Sequence, residues 1–553
     1  MLSQIRFCAL AAVSAIALGA ASGANAADCP VGPALCDTDA APMMIPFKPW
    51  TIDPIFTVGE NIKGYTPVGI PDGIGAFKTA PTTVRVLVNH ELSKGSGAPY
   101  TLANGTTLTG GRVSYFDIAT VARKIRGAGP AYSSAYDRQG NLVTTAQQIN
   151  ETTSATDGFD RFCSSQGYAA GDYGFVDNIY FTHEETSERE GHPFGGSVWA
   201  IDVDDQSIWA APALGRAAWE NVTALTPQRP NTVALALGDD YGGLSKLPGG
   251  SVEYKSAPLW IYVGKKKAGG FLERNGLSDG QLYFYKAAAS CADTPTFTSP
   301  VDFHGTGSVM TGVLCPIEVQ DVSMAGQPGY DAYGYLNGET LRATAFVQGA
   351  FAFSRPEDLQ VNPLNGRQFV FASTGRSSNF PEDSWGDTLV VTVGLNSLTA
   401  SVRIAYDGDD VVNNIQFANP DDGLRSPDNL TWARDGFVYV NEDPAFSGFG
   451  LASGAEASIW QVNPKTSKLF RVAEMDRSAV PAGQTDTAPN SIGVWESSGV
   501  RDVSRLFDVP NNVTLLISDV QAHSLTGGRI TSDNLVQGGQ IFFLRRLRPN
   551  AAR

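Results

Sequence analysis

Residues 176–190 read VDNIYFTHEETSERE, an apolar run that stops at Thr182, His183, Glu184 and Glu185. Imidazole beside carboxylate is cation-binding chemistry, and the chain holds only five histidines. Similar endings recur along the chain: Asn89-His90-Glu91, Asp239-Asp240, Asn441-Glu442-Asp443, and Asp519 followed by His523. Further polar groups stand at Trp219-Glu220-Asn221, Arg355-Pro356-Glu357-Asp358 and Ser426-Pro427-Asp428-Asn429. Any one of these is an ordinary acidic turn. As a set that takes in three of the five histidines, they point to a metal centre. His192 and His304 fall outside the pattern and are read as structural.

Such a centre needs strands whose ends converge. Apolar, β-branched and aromatic runs alternate with Gly, Asn, Asp and Pro clusters, for example TVRVLVNHE (83–91), TVALALGDD (232–240), GFVYVNEDP (436–444) and VTLLISDVQ (513–521). This pattern predicts an all-β chain, with helices only around 270–276 and 342–352. In a radial β architecture the inner strand ends meet near one axis. Their carboxylates would then repel one another unless multivalent cations neutralise them. Oxygen-rich clusters suit calcium, and an added imidazole suits a transition metal. No strict textual repeat is visible, and no G-x-S-x-G elbow suggests a serine hydrolase.

With 42% hydrophobic and 17% charged residues, the 553-residue chain can bury a large core. Its formal net charge of −16 argues against nucleic acid and anionic membranes as partners. The opening MLSQIRFCALAAVSAIALGAASGANA predicts a Sec-type signal peptide over 1–26, hence a periplasmic or secreted protein without membrane insertion. Residues 27–553 are expected to form a single domain, with 27–50 as an extended N-terminal segment and 100–170 and 285–345 as insertions or lids. In an oxidising compartment, Cys29 with Cys36 and Cys291 with Cys315 are the short-loop pairings, although the sequence alone leaves the connectivity open. Cys163 is then the odd cysteine.

Stretches in a fixed order resemble the PhoX-type alkaline phosphatases. They are VNHEL (88–92), DNIYFTHEET (177–186), ENVTAL (220–225), VALALGDDYGG (233–243) with APLWIYVGKK (257–266), SRPEDLQVNP (354–363), FASTGRS (371–377), SPDNLTWARDGFVYVNEDP (426–444) and, more weakly, ISDVQAHS (517–524). The resemblance implies a six-bladed β-propeller with a calcium and iron cluster at the top of its axis, hydrolysing phosphate monoesters outside the cytoplasm. It makes Glu184, Glu220 and Glu357 metal ligands, with Asp239, Asp240, Asp428, Glu442 and Glu91 as further acidic groups near the metals. Arg355 would hold the substrate phosphate, with Glu357 beside it as the second catalytic residue. The family motif Thr-Cys-Glu-Glu-Asn reads Thr182-His183-Glu184-Glu185-Thr186 here, so His183 is expected as a ligand in place of the family's cysteine, binding iron or another transition metal.

The resulting expectation is a monomeric, metal-dependent phosphomonoesterase acting on a small phosphorylated substrate. The alternatives are a propeller hydrolase of another class (phytase-like, phosphodiesterase or lactonase) and a calcium-stabilised propeller that binds without catalysis.

Overall fold

The computed structural model describes residues 29, 32–250, 252–413, 416–445 and 448–547, and the expected signal peptide lies outside them. The fold is all-β and propeller-like, with sheets arranged around a central axis. The α-helices among the described residues are short: Gln147–Asn150, Phe271–Arg274, Gly338–Val347 and Gly528–Ser532. The second and third overlap the helical stretches expected from sequence. No helix among the described residues is long and apolar enough to cross a membrane.

Six strands face the axis, and we number them β1 (Pro71–Ala80), β2 (Phe162–Tyr168), β3 (Trp219–Leu225), β4 (Pro356–Asn362), β5 (Pro427–Trp432) and β6 (Trp495–Asp502). Each is an edge strand of its sheet. Consecutive ones pack on each other, and β6 packs back on β1 to close the ring. Two of them, β3 and β4, are the opposite edges of one nine-stranded sheet. Val309–Ile317 joins that sheet's two halves by pairing with Gly280–Lys286 on one side and Thr399–Asp407 on the other.

Why the axial strands are so short of charge outside their first turns follows from their position, since both faces are covered. Phe162–Tyr168, Trp219–Leu225 and Pro427–Trp432 are buried at every residue. Between sheets the core is aromatic and β-branched, and it includes the fully buried Trp199, Trp219, Trp260 and Trp495. Removing any one of these large side chains costs about 3–5 kcal/mol.

The expected extended segment at 27–50 contributes Met44–Pro46, which pairs antiparallel with Leu469–Met475. The next strand, Trp50–Thr57, pairs with Gly538–Leu547 and becomes the outer strand of the sheet that β6 heads. That pairing ties the two ends of the chain into one sheet. Regions 100–170 and 285–345 hold more than insertions: Arg112–Ala119, Ile125–Pro130, β2 and Val309–Ile317 are integral sheet strands within them. The disulfides are Cys29–Cys36 and Cys291–Cys315, and Cys163 is free and buried.

One irregularity repeats. In β1 to β5 the first residue pairs with the last residue of the neighbouring strand, and the next regular pair comes three residues later against two on the partner. The pairs are Pro71↔His90 then Ile74↔Val88, Phe162↔Glu184 then Ser165↔Thr182, Trp219↔Asp239 then Val222↔Leu237, Pro356↔Ser373 then Leu359↔Phe371, and Pro427↔Glu442 then Leu430↔Val440. Each is a β-bulge that inserts one extra residue and re-aims a side chain. In β6 the shift comes later, between Ser498 and Arg501.

Candidate metal centre

The bulges determine what the axis presents. The second residue of the six strands is Asp72, Cys163, Glu220, Glu357, Asp428 and Glu496, and all six line one cavity of about 450 Å³. A second ring comes from the residue just past each neighbouring strand: Glu91, Glu185, Asp240, Thr374, Asp443 and His523. All of these except Thr374 also line the cavity. Thr374 instead donates through Oγ1 to Glu357 and to the Pro427 carbonyl.

Nine carboxylates and one thiol thus face two guanidiniums, Arg161 and Arg355. Three trios lie with ligand atoms within 4.8 Å of one another: Asp72, Glu91 and Cys163; Cys163, Glu185 and Glu220; and Glu220, Glu357 and Asp428. Cys163 and Glu220 are shared, so the trios form a continuous run across the cavity.

Both Glu220 carboxylate oxygens and Asp428 Oδ1 are buried without a hydrogen-bond partner. Burial, then Glu357 and Asp428, drives the Glu220 pKa well above the carboxylate range. Burial and Asp240 do the same to Glu357, and burial and Asp443 to Asp428. Asp72 is pushed up to about 7 by burial and by Glu91. Burial and the neighbouring Asp72 also push up the Cys163 thiol. Protein donors therefore leave the charge on Glu220 and on one Asp428 oxygen uncompensated, and such a site takes up either protons or multivalent cations. The donor set fits cations: a soft sulfur at one end suits a transition metal, and the all-oxygen trio Glu220, Glu357 and Asp428 suits calcium.

Asp240 behaves differently. Burial opposes its ionisation, but the Arg355 guanidinium outweighs that and holds its pKa low. Arg355 Nε and Nη2 donate to the two Asp240 oxygens at 2.7 Å each, and Nη2 lies 3.1 Å from Glu357 Oε1.

Of the residues singled out from sequence, Arg355, Glu357, Glu220, Asp240, Asp428 and Glu91 are brought together here. Four others are not, and each is bonded elsewhere. His183 is buried, with Nδ1 3.1 Å from the Glu220 carbonyl, and burial lowers its pKa to about 3. Glu184 accepts from Asp160 N, Ser197 N and Trp199 Nε1. Asp239 accepts from Arg342 Nη1, Ala218 N and Trp260 Nε1. Glu442 accepts from Arg425 Nε and Nη2 and from the Arg425 and Ser458 amides.

For the three carboxylates the physical reason is strand parity, whereas His183 shares the parity of Glu185 but lies two residues further into its strand, against the Glu220 backbone. Glu184, Asp239 and Glu442 are the cross-strand partners of Phe162, Trp219 and Pro427, so they point away from the axis, and the next residue points in. The thiol of the site is Cys163, not a residue of the His183 stretch. Sequence reading also passed over Asp72, Arg161 and Glu496. A usable signal existed: each axial strand opens with Pro, Phe or Trp followed by an acid or Cys. Asp519, deeper on the axis, is buried with both oxygens unpartnered, and burial together with Asp72 raises its pKa.

No family model matches the chain, and no curated protein matches it. Among solved structures, Pseudomonas fluorescens PhoX in complex with vanadate, a transition state analogue, superposes with a TM-score of 0.60 at 16% identity, covering 94% of this chain and 98% of that one. The chain therefore shares the fold of PhoX over almost its whole length. Two others match far more loosely. The Dos1 propeller has a TM-score of 0.29 at 8% identity, covering 89% of this chain and 94% of that one. A mutant puromycin hydrolase complexed with PGG has a TM-score of 0.23 at 12% identity, covering 65% of this chain and 46% of that one.

Proposed function

We propose that this protein is a metal-dependent phosphomonoesterase built on a six-bladed propeller, with the nine-stranded sheet counted as two blades headed by β3 and β4. The blade count is supported by the closed ring of six axial strands. The observation that carries the activity is the run of three ligand trios beside Arg355 in one axial cavity, with Glu220 left without any protein donor. The PhoX fold, seen with vanadate as a transition state analogue, supports the same reading.

Cys163, Asp72, Glu91, Glu185 and Glu220 would hold a transition metal such as iron, and Glu220, Glu357 and Asp428 would hold calcium. Bound there, the metals supply charge neutralisation and activation of water. The chain's own contribution is positional. Arg355 is fixed by Asp240 and Glu357, so its planar fork is set before an anion arrives, which favours bidentate contact with phosphate oxygens. Donors preset in a partly enclosed site stabilise developing phosphoryl charge without reorganising. Two disulfides fit an oxidising compartment, which supports export to the periplasm or beyond.

The test is hydrolysis of a generic phosphomonoester by metal-loaded protein, after chelation, and after restoring calcium and iron. Turnover should vanish on chelation and return with metal. A protein with metal confirmed bound and no turnover would overturn the phosphatase reading in favour of a binding propeller.

A further inference from the structure

Arg355 precedes β4 by one residue, and Arg161 precedes β2 by one residue. Both adopt positive φ, 65° and 46°, a conformation that non-glycine residues seldom take. Ile70 and Ser426 occupy the same slot before β1 and β5 with φ of 49° and 42°. The backbone bend is therefore a property of strand entry, and only two of these four entries carry a cation into the cavity.

The two arginines are held alike. Arg355 bonds Asp240, which follows the strand paired with β3, the preceding axial strand, and contacts Glu357. Arg161 Nε donates at 3.1 Å to Glu91, which also follows the neighbouring strand of its preceding sheet, and Nη2 donates at 2.5 Å to Glu185. Glu185 and Asp240, the carboxylates that hold the two forks, line the same cavity. Among the described residues no protein acceptor is bonded to Nη1 of either arginine. Both side chains keep some exposure toward the cavity, 34% for Arg161 and 19% for Arg355. The rim at β5 and β6 is uncharged at Pro444, Gly493 and Val494.

We propose that Arg161 is a second phosphate-binding residue, the structural counterpart of Arg355, so that the phosphoryl group sits between two guanidiniums and the alcohol portion lies toward the Pro444–Val494 rim. This rests on the phosphatase reading above. A phosphomonoester dianion has three terminal oxygens and close to two negative charges. Two fixed forks on one side of the site match that better than one, and they set which end of the substrate enters first.

The experiment measures inorganic phosphate binding to metal-loaded protein by calorimetry, together with KM and kcat on a generic phosphomonoester and metal content, for wild type, Arg161→Gln and Arg161→Lys. Arg161→Gln should weaken phosphate binding and raise KM by about 10- to 100-fold, with a smaller fall in kcat. Arg161→Lys keeps the charge opposite Glu91 and Glu185 but loses the fork. It should retain the metals and still bind phosphate several-fold more weakly. If Arg161→Gln sheds metal, the comparison is made on Arg161→Lys. Phosphate affinity and KM within twofold of wild type in a metal-replete variant would overturn the role of Arg161 and leave the phosphatase reading standing. A metal-loaded wild type that neither binds phosphate nor turns over substrate would overturn both.

Discussion

Glu184, Asp239 and Glu442 differ from Glu185, Asp240 and Asp443 by one position in the chain, yet the two sets do opposite work. The first set faces into the sheets, where every carboxylate is met by amides, indoles or a buried arginine. The second set faces the axis and borders the cavity. An acidic residue at the first position fastens a strand end, and one at the second position faces the cavity, where Glu185 and Asp240 hold Arg161 and Arg355. Chemical type is shared, and the parity of the strand decides the role.

The largest effect that would sharpen this contrast comes from the axial side. Glu220→Gln should cut hydrolysis about 100- to 1000-fold and lower bound metal on elemental analysis. It should also raise the melting temperature of the metal-free protein, because a buried unpartnered carboxylate has gone. Unchanged turnover would place the centre elsewhere.

The mirror experiment acts on the inward set. Glu442→Gln strips the charge from a fully buried partner of Arg425 and should cost about 3–5 kcal/mol in denaturant unfolding, with metal content preserved. Lost metal with intact stability would reverse the assignment.

A third measurement is pH dependence without metal. Asp72 and Asp358 carry pKa values raised from 3.8 to about 7, chiefly by burial, so the folded chain binds more protons than the unfolded one between those values. The stability that these two carboxyls contribute to the metal-free protein should therefore be full below about pH 4 and be lost as pH rises through 7. Metal-loaded protein should show a shallower decline through that window, because bound cations replace the protons on Asp72. Equal slopes in melting scans would mean the cavity is not where cations act.

The smallest effect concerns His183. With one ring nitrogen bonded to a backbone carbonyl and no place in the cavity, His183→Gln should cost about 1 kcal/mol and leave the metal complement as it was. A changed iron content would restore it as a ligand.

These contrasts also explain how far the sequence could be read. The strand ends that build the site were visible as polar punctuation after apolar runs, and Glu91, Glu220, Asp240, Arg355, Glu357 and Asp428 were found that way. Which member of each acidic pair faces the axis was not visible, because it depends on where the last ladder pair falls. The bulges at Asp72, Cys163, Glu220, Glu357 and Asp428 leave no gap in the text, since an extra residue in one strand looks like any other residue. Cys163 was hardest. It is the second residue of its strand, with Ser164 and Ser165 behind it, and no acid stands beside it in sequence. The repeat behind these positions is one of place rather than of residue, so it emerged only when the strands were seen around a common axis.

The pairing of Trp50–Thr57 with Gly538–Leu547 orders the assembly of the ring. The groups around the cavity are spread from Asp72 to His523, and the strand that fastens the ring shut follows all of them in the sequence. Until it pairs, the chain is an open arc whose first ligands have no opposite wall, and Trp50–Thr57 waits for a partner almost 500 residues away. A cation bound to such an arc meets only part of its ligand set. The complete binding site therefore comes into being only when Gly538–Leu547 has paired, and loss of that strand removes the ring's fastening and with it the enclosure around every ligand at once.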